Sequence, residues 1–329
     1  MTILVVRTDK LGDFITALPT FYVLKQHDQK NKIIACVAPL NQELARACAF
    51  IDEVIVDRGQ SFWELVTQLR EAKIDTAIAL FSKTRIGLAL LCAGIATRIA
   101  PATKIAQFFY NHRVIQRRSQ VKMAEFEYNL ELTKELFPEI VIHFPHPFLQ
   151  FDDNEIAAIY QEFCERYEIT KPVIAFHPGF GGSSDANWTL NEYSELVKIA
   201  SEDGKVQAVM TFGPGEEKLR DEAIKQANGL NVIFYQSDQG IVHFAKLLAS
   251  FKLFVSTSTG TYHLAAMVAT PTMTFFADTL FASVKRWKAI SPETIQHPYM
   301  LPADENRRRD LFKSVCDDLK QLIDTIDEE

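Results

Sequence analysis

The sequence lacks a long apolar run, a paired set of cysteines and a surplus of positive charge. Its five cysteines are widely spaced and include no CxxC pair, so neither a disulfide framework nor a zinc site is indicated. The most apolar stretch, Ile86 to Ile99, covers about 14 residues, short of the roughly 20 that a membrane-spanning helix requires. With 35 basic and 42 acidic residues the net charge is −7, which argues against a general nucleic-acid binder. No secretory signal is recognised at the start, and a cytoplasmic protein is expected.

The length and the composition indicate two folded domains. Hydrophobic residues make up 47% of the 329 residues and no long polar tract interrupts them, which excludes extended disorder. Short strands alternate with helices from Ile3–Val6 onward, and the rhythm restarts at Val173–His177. This alternation predicts an α/β fold with two Rossmann-like, doubly wound domains facing a central cleft. The predicted parts are residues 1–165, residues 166–304 and an amphipathic C-terminal helix, 305–329, that returns to the first domain.

The first loop, from Arg7 to Asp13, leaves the carboxyl end of the first strand, where ligands of open α/β sheets usually bind. Gly12 permits a tight turn, and Asp13 stands where the N-cap of a helix belongs. Asp13 is therefore either only a cap or a carboxylate that removes a proton in the cleft. Arg7 and Lys10 are candidates for holding an anionic substrate.

Three loops of the second half follow predicted strands and suit phosphate or nucleoside binding. The first exposes backbone N–H groups and contains Gly179, Gly181, Gly182, Ser183 and Ser184, with Trp188 interpreted as a packing anchor at its end. The second precedes a helix and contains Ser258, Thr259, Gly260, Thr261 and His263. The third contains Glu216, which suits hydrogen bonds from ribose hydroxyls. The alternative interpretations are a solvated loop for the glycine-rich segment, a buried histidine for His263 and a helix cap for Glu216.

A basic stretch of the first half, residues 112–122, concentrates charge in an otherwise acidic chain. Its cations are Arg113, Arg117, Arg118 and Lys122, and we predict that Arg118–Leu136 is a helix whose first half is basic. A solvated face is the usual explanation of such a run. The alternatives are the binding of a phosphorylated or carboxylated acceptor, or of an anionic membrane surface.

Three segments together resemble the bacterial heptosyltransferase family of lipopolysaccharide synthesis. The opening ILVVRTDKLGDFITALP is similar to the N-terminal signature of that family. The segment IAFHPGFGGSSDANW is similar to the one that opens its second domain. The segment FVSTSTGTYHLAAMVATPTMTFF is similar to its donor-binding segment. The three occur in the family's order and extend over nearly the whole chain.

This resemblance implies a GT-B fold and an inverting, metal-independent glycosyltransferase that moves a sugar from a nucleotide-diphosphate donor to a lipopolysaccharide core or similar glycan. ADP-heptose is the implied donor, as co-substrate, and no other cofactor is expected. Asp13 falls on the general base, Thr259, Gly260 and His263 fall on the diphosphate site, and Glu216 falls on a nucleoside contact. We expect a lipid-linked anionic acceptor at Arg7, Lys10, Arg113, Arg117, Arg118 and Lys122. We also expect a monomer with peripheral contact to the inner membrane and no nucleic-acid partner.

The chain departs from the family pattern at two positions of the donor site. Ser258 stands where the family usually has Asp, and Ala186 stands where it usually has Lys. Either the donor sugar differs, or Ser183, Ser184 and Asn187 substitute as neutral donors. The alternative function is a non-catalytic or altered-specificity nucleotide-sugar-binding relative. An NAD-dependent dehydrogenase is a weaker alternative, because the first strand–loop–helix has no GxGxxG.

Overall fold

Runs of β-branched and aliphatic residues form the strands of two parallel sheets, since strands covered by helices on both faces bury consecutive residues. The computed structural model describes residues 1–103, 105–179, 187–227 and 229–326. It divides into two compact units, Met1–Pro145 and His146–Glu329. The predicted α/β fold with two doubly wound domains is confirmed.

The first unit contains a parallel sheet of six strands among its described residues. The strands are β1 (Thr2–Arg7), β2 (Lys32–Val37), β3 (Glu53–Val56), β4 (Thr76–Ala79), β5 (Thr97–Pro101) and β6 (His112–Val114). The helices are α1 (Leu11–Ile15), α2 (Leu18–His27), α3 (Gln42–Ala47), α4 (Phe62–Glu71), α5 (Thr84–Cys92) and α6 (Glu125–Leu136). The strand order is β3-β2-β1-β4-β5-β6, which reverses at β1. The loops after β1 and β4 therefore meet at a switch point, where ligands of such sheets bind.

The second unit repeats this arrangement with its own parallel sheet. The strands are β7 (Val173–His177), β8 (Gln207–Phe212), β9 (Val232–Gln236), β10 (Leu253–Thr257), β11 (Thr272–Ala277) and β12 (Gln296–Leu301). The helices are α7 (Asp153–Tyr167), α8 (Leu190–Asp203), α9 (Glu217–Gln226), α10 (Ile241–Leu248), α11 (Gly260–Met267), α12 (Val284–Trp287) and α13 (Glu305–Ile326). The described strands have the order β12-β11-β10-β7-β8-β9, so the loops after β10, β7 and β8 are neighbours at one edge. Among the described residues, none of the helices combines the length and the hydropathy that a membrane span needs.

The predicted helix Arg118–Leu136 is wrong in its first turns. Helix α6 begins at Glu125, and only a short 3-10 turn covers Arg118–Gln120. Arg117 and Val121 flank this turn with φ of 46° and 43°, in the left-handed region that a right-handed helix excludes. The edge strands β6 and β12 were not predicted, because β6 has three residues and β12 contains Pro298.

The division between the units differs from the predicted boundary at residue 165. Helix α7 packs on α10 of the second unit, so the division lies at residue 145. The C-terminal helix was expected to pack on the first domain. Its buried residues Val315, Leu319 and Ile323 instead belong to the core of the second unit, where α13 packs on α8. The apolar stripe of α13 predicted a buried face but not the partner that buries it.

Candidate functional site

Asp13 lies at the switch point of the first sheet, in the first turn of helix α1. The N-cap position is occupied by Lys10, and no side chain caps this helix, so Asp13 is not the predicted cap. Its Oδ1 accepts a hydrogen bond from Arg7 Nη2 at 2.5 Å, and about a quarter of the side chain (24%) is exposed. Its second carboxylate oxygen has no hydrogen bond among the described residues. A partly exposed carboxylate with one free oxygen can take a proton from a bound hydroxyl.

Arg7 is buried and belongs to a network of charges rather than to the surface. Only 3% of its side chain is exposed, and Nη2 lies 3.6 Å from Glu125 Oε1 as well as against Asp13. The same Glu125 oxygen lies 2.5 Å from Arg118 Nη1, so one buried carboxylate stands between two guanidinium groups. Arg7 and Arg118, both predicted to bind an acceptor, thus neutralise protein carboxylates. Glu125 was missed because nothing in its local sequence points to the sheet edge.

Asp9 extends this network by contacting two of its cations. Asp9 contacts Arg7 Nε at 3.2 Å and Lys83 Nζ at 2.6 Å, and Lys83 also donates to the carbonyl of Thr8. Lys83 follows strand β4, so this contact joins the two loops of the switch point. The cations Arg7, Lys83 and Arg118 thereby face the carboxylates Asp9, Asp13 and Glu125 in equal number. Such a balanced network fixes the side chain of Arg7, which in turn orients Asp13.

The remaining predicted cations of the first unit are exposed. Lys10, Arg113, Arg117 and Lys122 all lie at the surface. Their side chains form no hydrogen bond or ion pair within the described part of the chain. The basic stretch therefore consists of one internal residue, Arg118, and three side chains that are available to an anionic partner.

Glu216 lies between two glycines at the carboxyl edge of the second sheet. Its Oε2 accepts a hydrogen bond from the backbone N–H of Gly213 at 2.7 Å, and 19% of the side chain is exposed. A Cβ placed on Gly179 would lie 2.0 Å from Glu216 Oε1, so the carboxylate occupies the space that any other residue at 179 would need. Glu216 stands at the N-cap position of α9 but makes no capping bond through its side chain. Its carboxylate is thus held by the loops after β7 and β8 and retains acceptor capacity.

His177, for which no role was predicted, lies beside this carboxylate. Its Nδ1 lies 3.0 Å from the carbonyl oxygen of Thr211, which can only accept, so Nδ1 carries a proton. Its Nε2 lies 3.8 Å from Glu216 Oε2. Burial lowers the pKa of His177, while the Glu216 carboxylate opposes this shift. The signal that could have found His177 is its position as the last residue of a buried strand, directly before Pro-Gly.

The N-terminus of helix α11 forms the third part of this edge. Thr259 is its N-cap residue and makes no capping bond, and its hydroxyl contacts that of Thr261 at 2.9 Å. Ser258, Thr259, Gly260 and Thr261 are all partly exposed. The first N–H groups of a helix have no partner within it and favour an anion. The hydroxyls and the helix terminus together can therefore hold a phosphate group.

His263 is buried in this first turn, beside the rings of Tyr262 and Trp287. Burial lowers its pKa to about 3, so the ring is neutral near pH 7. An unfolded histidine has a pKa of about 6.5 and binds a proton first, so stability falls as the pH drops from about 6.5 towards 3. We expect His263→Gln to reduce this slope by about 1 kcal/mol per pH unit. Urea unfolding from pH 7 to pH 4 measures it, with the exposed His143→Gln as control; identical slopes for wild type and His263→Gln would contradict the prediction.

The glycine-rich loop is described only at its ends. Ser183, Ser184 and Ala186 lie outside the described residues. Asn187 is engaged within the unit: its amide nitrogen donates to the carbonyl of Pro178, and its amide oxygen accepts from Trp188 N and Tyr193 Oη. Trp188 is a packing anchor, as predicted, 3% exposed and in edge contact with Phe275 and Phe312. Asn187 therefore closes the loop and has little capacity left for a ligand.

No group of three or more His, Cys, Asp or Glu side chains in the described ranges is arranged to hold a metal ion. The polar groups at both sheet edges are carboxylates, the cations paired with them, hydroxyls, histidines and a helix terminus. These groups can accept from hydroxyls and donate to anionic oxygens.

Comparison with known proteins identifies a family and a fold for this chain. The profile of glycosyltransferase family 9 (heptosyltransferase) matches residues 62–312. A Haemophilus influenzae protein provisionally named a glycosyltransferase is 34% identical over 318 residues, which cover 94% of this chain and 92% of that protein. The structure of Escherichia coli ADP-heptose LPS heptosyltransferase II has a TM-score of 0.81 at 18% identity and covers 99% of this chain and 100% of its own. The structure of E. coli heptosyltransferase WaaC with ADP has a TM-score of 0.72 at 19% identity, covering 98% and 100%.

The fold is that of a GT-B glycosyltransferase. The chain belongs to glycosyltransferase family 9, the heptosyltransferase family. The resemblance found in the sequence is thereby confirmed.

Proposed function

We propose that this protein transfers a heptose from ADP-heptose to an anionic, lipid-linked glycan of the lipopolysaccharide core, with inversion at the anomeric carbon and without a metal ion. The proposal rests on family membership and on the names of similar structures, which include ADP-heptose, LPS and ADP. The observation that carries it is the edge of the second sheet, where Glu216 and the N-terminus of α11 follow strands separated only by β7. The first suits a ribose and the second suits a diphosphate.

In the proposed donor complex, the Glu216 carboxylate accepts hydrogen bonds from the ribose hydroxyls. Gly213 and Gly179 support this role, because they fix the carboxylate without covering it. The diphosphate binds at the first turn of α11 with Thr259 and Thr261. His263 is neutral and serves as a hydrogen-bond donor rather than a cation. Ser258, in place of the usual Asp, adds a hydroxyl instead of a charge, which is compatible with a diphosphate.

In the proposed reaction, Asp13 takes the proton of an acceptor hydroxyl as its oxygen attacks the anomeric carbon. The new glycosidic bond forms on one face of the sugar while the bond to the diphosphate breaks on the other, which inverts the configuration. The leaving diphosphate carries the negative charge, and the helix terminus and hydroxyls of the second unit stabilise it. Lys10, Arg113, Arg117 and Lys122 are the exposed cations that suit the acceptor's anionic groups.

The alternative is a nucleotide-sugar-binding relative that does not catalyse this transfer or uses another donor. Ser258 and Ala186 favour it, because together they remove one anion and one cation of the family's donor site. Turnover of ADP-heptose separates this alternative from the proposal, since both predict binding of a nucleotide.

The test combines donor binding with transfer. We expect calorimetry to detect binding of ADP and ADP-heptose, and Glu216→Gln to weaken ADP binding by about 10- to 100-fold, because charged acceptors make the stronger hydrogen bonds. The neighbouring Glu217→Gln is the matched control, since Glu217 is exposed beside the same loop. NMR of the product should show the inverted anomer, and the rate should not change with EDTA. Absence of ADP and ADP-heptose binding would contradict the proposed donor. Retention of the anomeric configuration would contradict inversion, and loss of activity with EDTA would contradict metal independence.

A further inference from the structure

The first unit contains a long segment without acidic residues. Residues 76–124 include eight Lys or Arg and no Asp or Glu, in a chain whose net charge is −7. Four of these cations bond inside the unit: Lys83 with Asp9, Arg85 with Asp57, Arg98 with the carbonyl of Phe109, and Arg118 with Glu125. Lys104 lies outside the described residues. Arg113, Arg117 and Lys122 are exposed, and their side chains contact no carboxylate within the described residues.

The same segment exposes three large apolar side chains. Ile115 is 76% exposed, Ile105 73% and Phe108 71%. Ile105 and Phe108 stand three residues apart in the 3-10 turn Ile105–Phe109, so they share one face of it. Exposed apolar residues are common singly, but three of this size within eleven positions are a feature typical of an interaction surface.

Packing on the opposite side of the segment fixes this exposure. Ala106 and Tyr110 are 2% exposed, and a Cβ on Gly87 of helix α5 would lie 2.9 Å from Phe109 Cβ. One face of the turn therefore packs against α5, and Ile105 and Phe108 lie on the opposite, exposed face. A turn anchored this closely does not bury its apolar face by a small rearrangement.

The cations lie on elements joined to this turn. Strand β6 pairs Arg113 with Ala100 of β5, and the backbone N–H of Ala102 donates to the carbonyl of Val114 at 2.8 Å. Residues 102–103, which lead into the turn, are thus beside Ile115. Val121 is fully buried despite its positive φ, and it holds the loop that exposes Arg117 and Lys122. The turn follows the carboxyl end of β5, and Ile115, Arg117 and Lys122 follow that of β6, at the sheet edge that also carries Asp13.

We propose that Ile105, Phe108, Arg113, Ile115, Arg117 and Lys122, the basic–apolar surface, dock the first unit onto an anionic lipid bilayer. Apolar side chains enter the boundary between headgroups and acyl chains, while cations beside them meet anionic headgroups. An RNA or an acidic peptide would use the cations and leave Ile105, Phe108 and Ile115 in water. The inference rests on the proposed function for its lipid-linked acceptor, since docking at this edge brings Asp13 to the surface where such an acceptor is anchored.

Vesicle binding by the full chain tests this docking without donor or acceptor. We expect sedimentation with vesicles containing phosphatidylglycerol and little with phosphatidylcholine alone. Replacing Arg113, Arg117 and Lys122 by Gln should weaken binding by about 100-fold, at roughly fivefold per charge. The matched control replaces Lys198, Lys313 and Lys320 by Gln, because these lysines are 56–71% exposed on the second unit. Equal binding to both lipids, no binding to either, or an undiminished affinity of the variant would overturn the proposal.

The apolar part of the surface has its own test. Replacing Ile105, Phe108 and Ile115 by Ser should lower vesicle binding at least tenfold while leaving transfer to a water-soluble acceptor glycan unchanged. The matched control replaces Trp63, Val141 and Leu280 by Ser and should keep vesicle binding. These side chains are 58–80% exposed and lie outside the basic–apolar surface. Full vesicle binding by the apolar variant, or tighter binding of wild type to RNA than to vesicles, would assign the surface to a different partner. Failure of the proposed transfer would instead appear as absent ADP-heptose turnover with vesicle binding intact.

Discussion

Replacement of Asp13 by Asn is expected to lower the rate of sugar transfer by about 10²- to 10⁴-fold while leaving the donor affinity unchanged. The amide has the shape of the carboxylate and keeps an oxygen for the hydrogen bond from Arg7, but it cannot take a proton. Donor affinity should be unaffected because the proposed donor groups, such as Glu216 and Thr259, belong to the other unit. Transfer kinetics and ADP calorimetry on the same preparation separate the two effects.

Asp9→Asn is the matched control for this experiment. Asp9 also contacts Arg7, at 3.2 Å, and it pairs with Lys83, so its replacement disturbs the same network without touching the proposed base. We expect a smaller loss of rate for Asp9→Asn than for Asp13→Asn. A near-wild-type rate for Asp13→Asn would show that another group takes the proton, or that none is required.

Local sequence predicts the position of Asp13 well and its environment poorly. A β-branched strand, a short loop with Gly12 and an apolar-periodic helix place Asp13 at the carboxyl edge of a sheet, and the structure agrees. Arg7 was predicted to face a substrate, but it is the last residue of a strand that is buried on both faces. Its partner Glu125 lies 118 positions further along the chain, and no local pattern connects the two.

In the second unit, too, local sequence predicts the positions of the site residues but not their contacts. The hydroxyl-rich loop before α11 and the position of Glu216 after β8 follow from strand, turn and helix signals. The contact between Glu216 and Gly179 depends on the pairing of β7 with β8, which local sequence patterns do not specify. His177 escaped attention for the same reason, because its partners Thr211 and Glu216 both come from the neighbouring strand and loop.

Local sequence patterns also do not show which surface packs against a given helix face or charged stretch. The stripe on α13 predicted a buried face correctly, and Arg113, Arg117 and Lys122 of the basic stretch are exposed. Neither pattern states which surface completes it. The helix predicted from Arg118 failed because Val121 has a left-handed conformation, which a β-branched residue rarely adopts and apolar periodicity does not reveal.

Removal of the buried charge at Glu125 is expected to have the largest effect on stability. Glu125→Gln leaves Arg7 and Arg118 facing each other without the carboxylate that lies between them, in a site where Glu125 is only 2% exposed. Removing one partner of a buried ion pair costs about 3–5 kcal/mol. Arg7 keeps its contacts with Asp9 and Asp13, whereas Arg118 loses the carboxylate that lies 2.5 Å from it. We expect a loss of this size in the free energy of unfolding of the first unit, measured with urea.

The same variant should lower kcat while leaving the KM for the donor unchanged, because Arg7, which orients Asp13, loses the Glu125 carboxylate as one of its contacts. The double variant Glu125→Gln/Arg118→Gln tests the physical cause. It removes the cation that lies 2.5 Å from the Glu125 carboxylate together with that carboxylate, so it should recover part of the lost stability even though it carries two changes instead of one. If the double variant is less stable than Glu125→Gln by the full cost of a second substitution, packing rather than charge is what Glu125 contributes. If Glu125→Gln itself costs less than about 1 kcal/mol, the Arg7–Glu125–Arg118 contacts do not fix the position of Arg7.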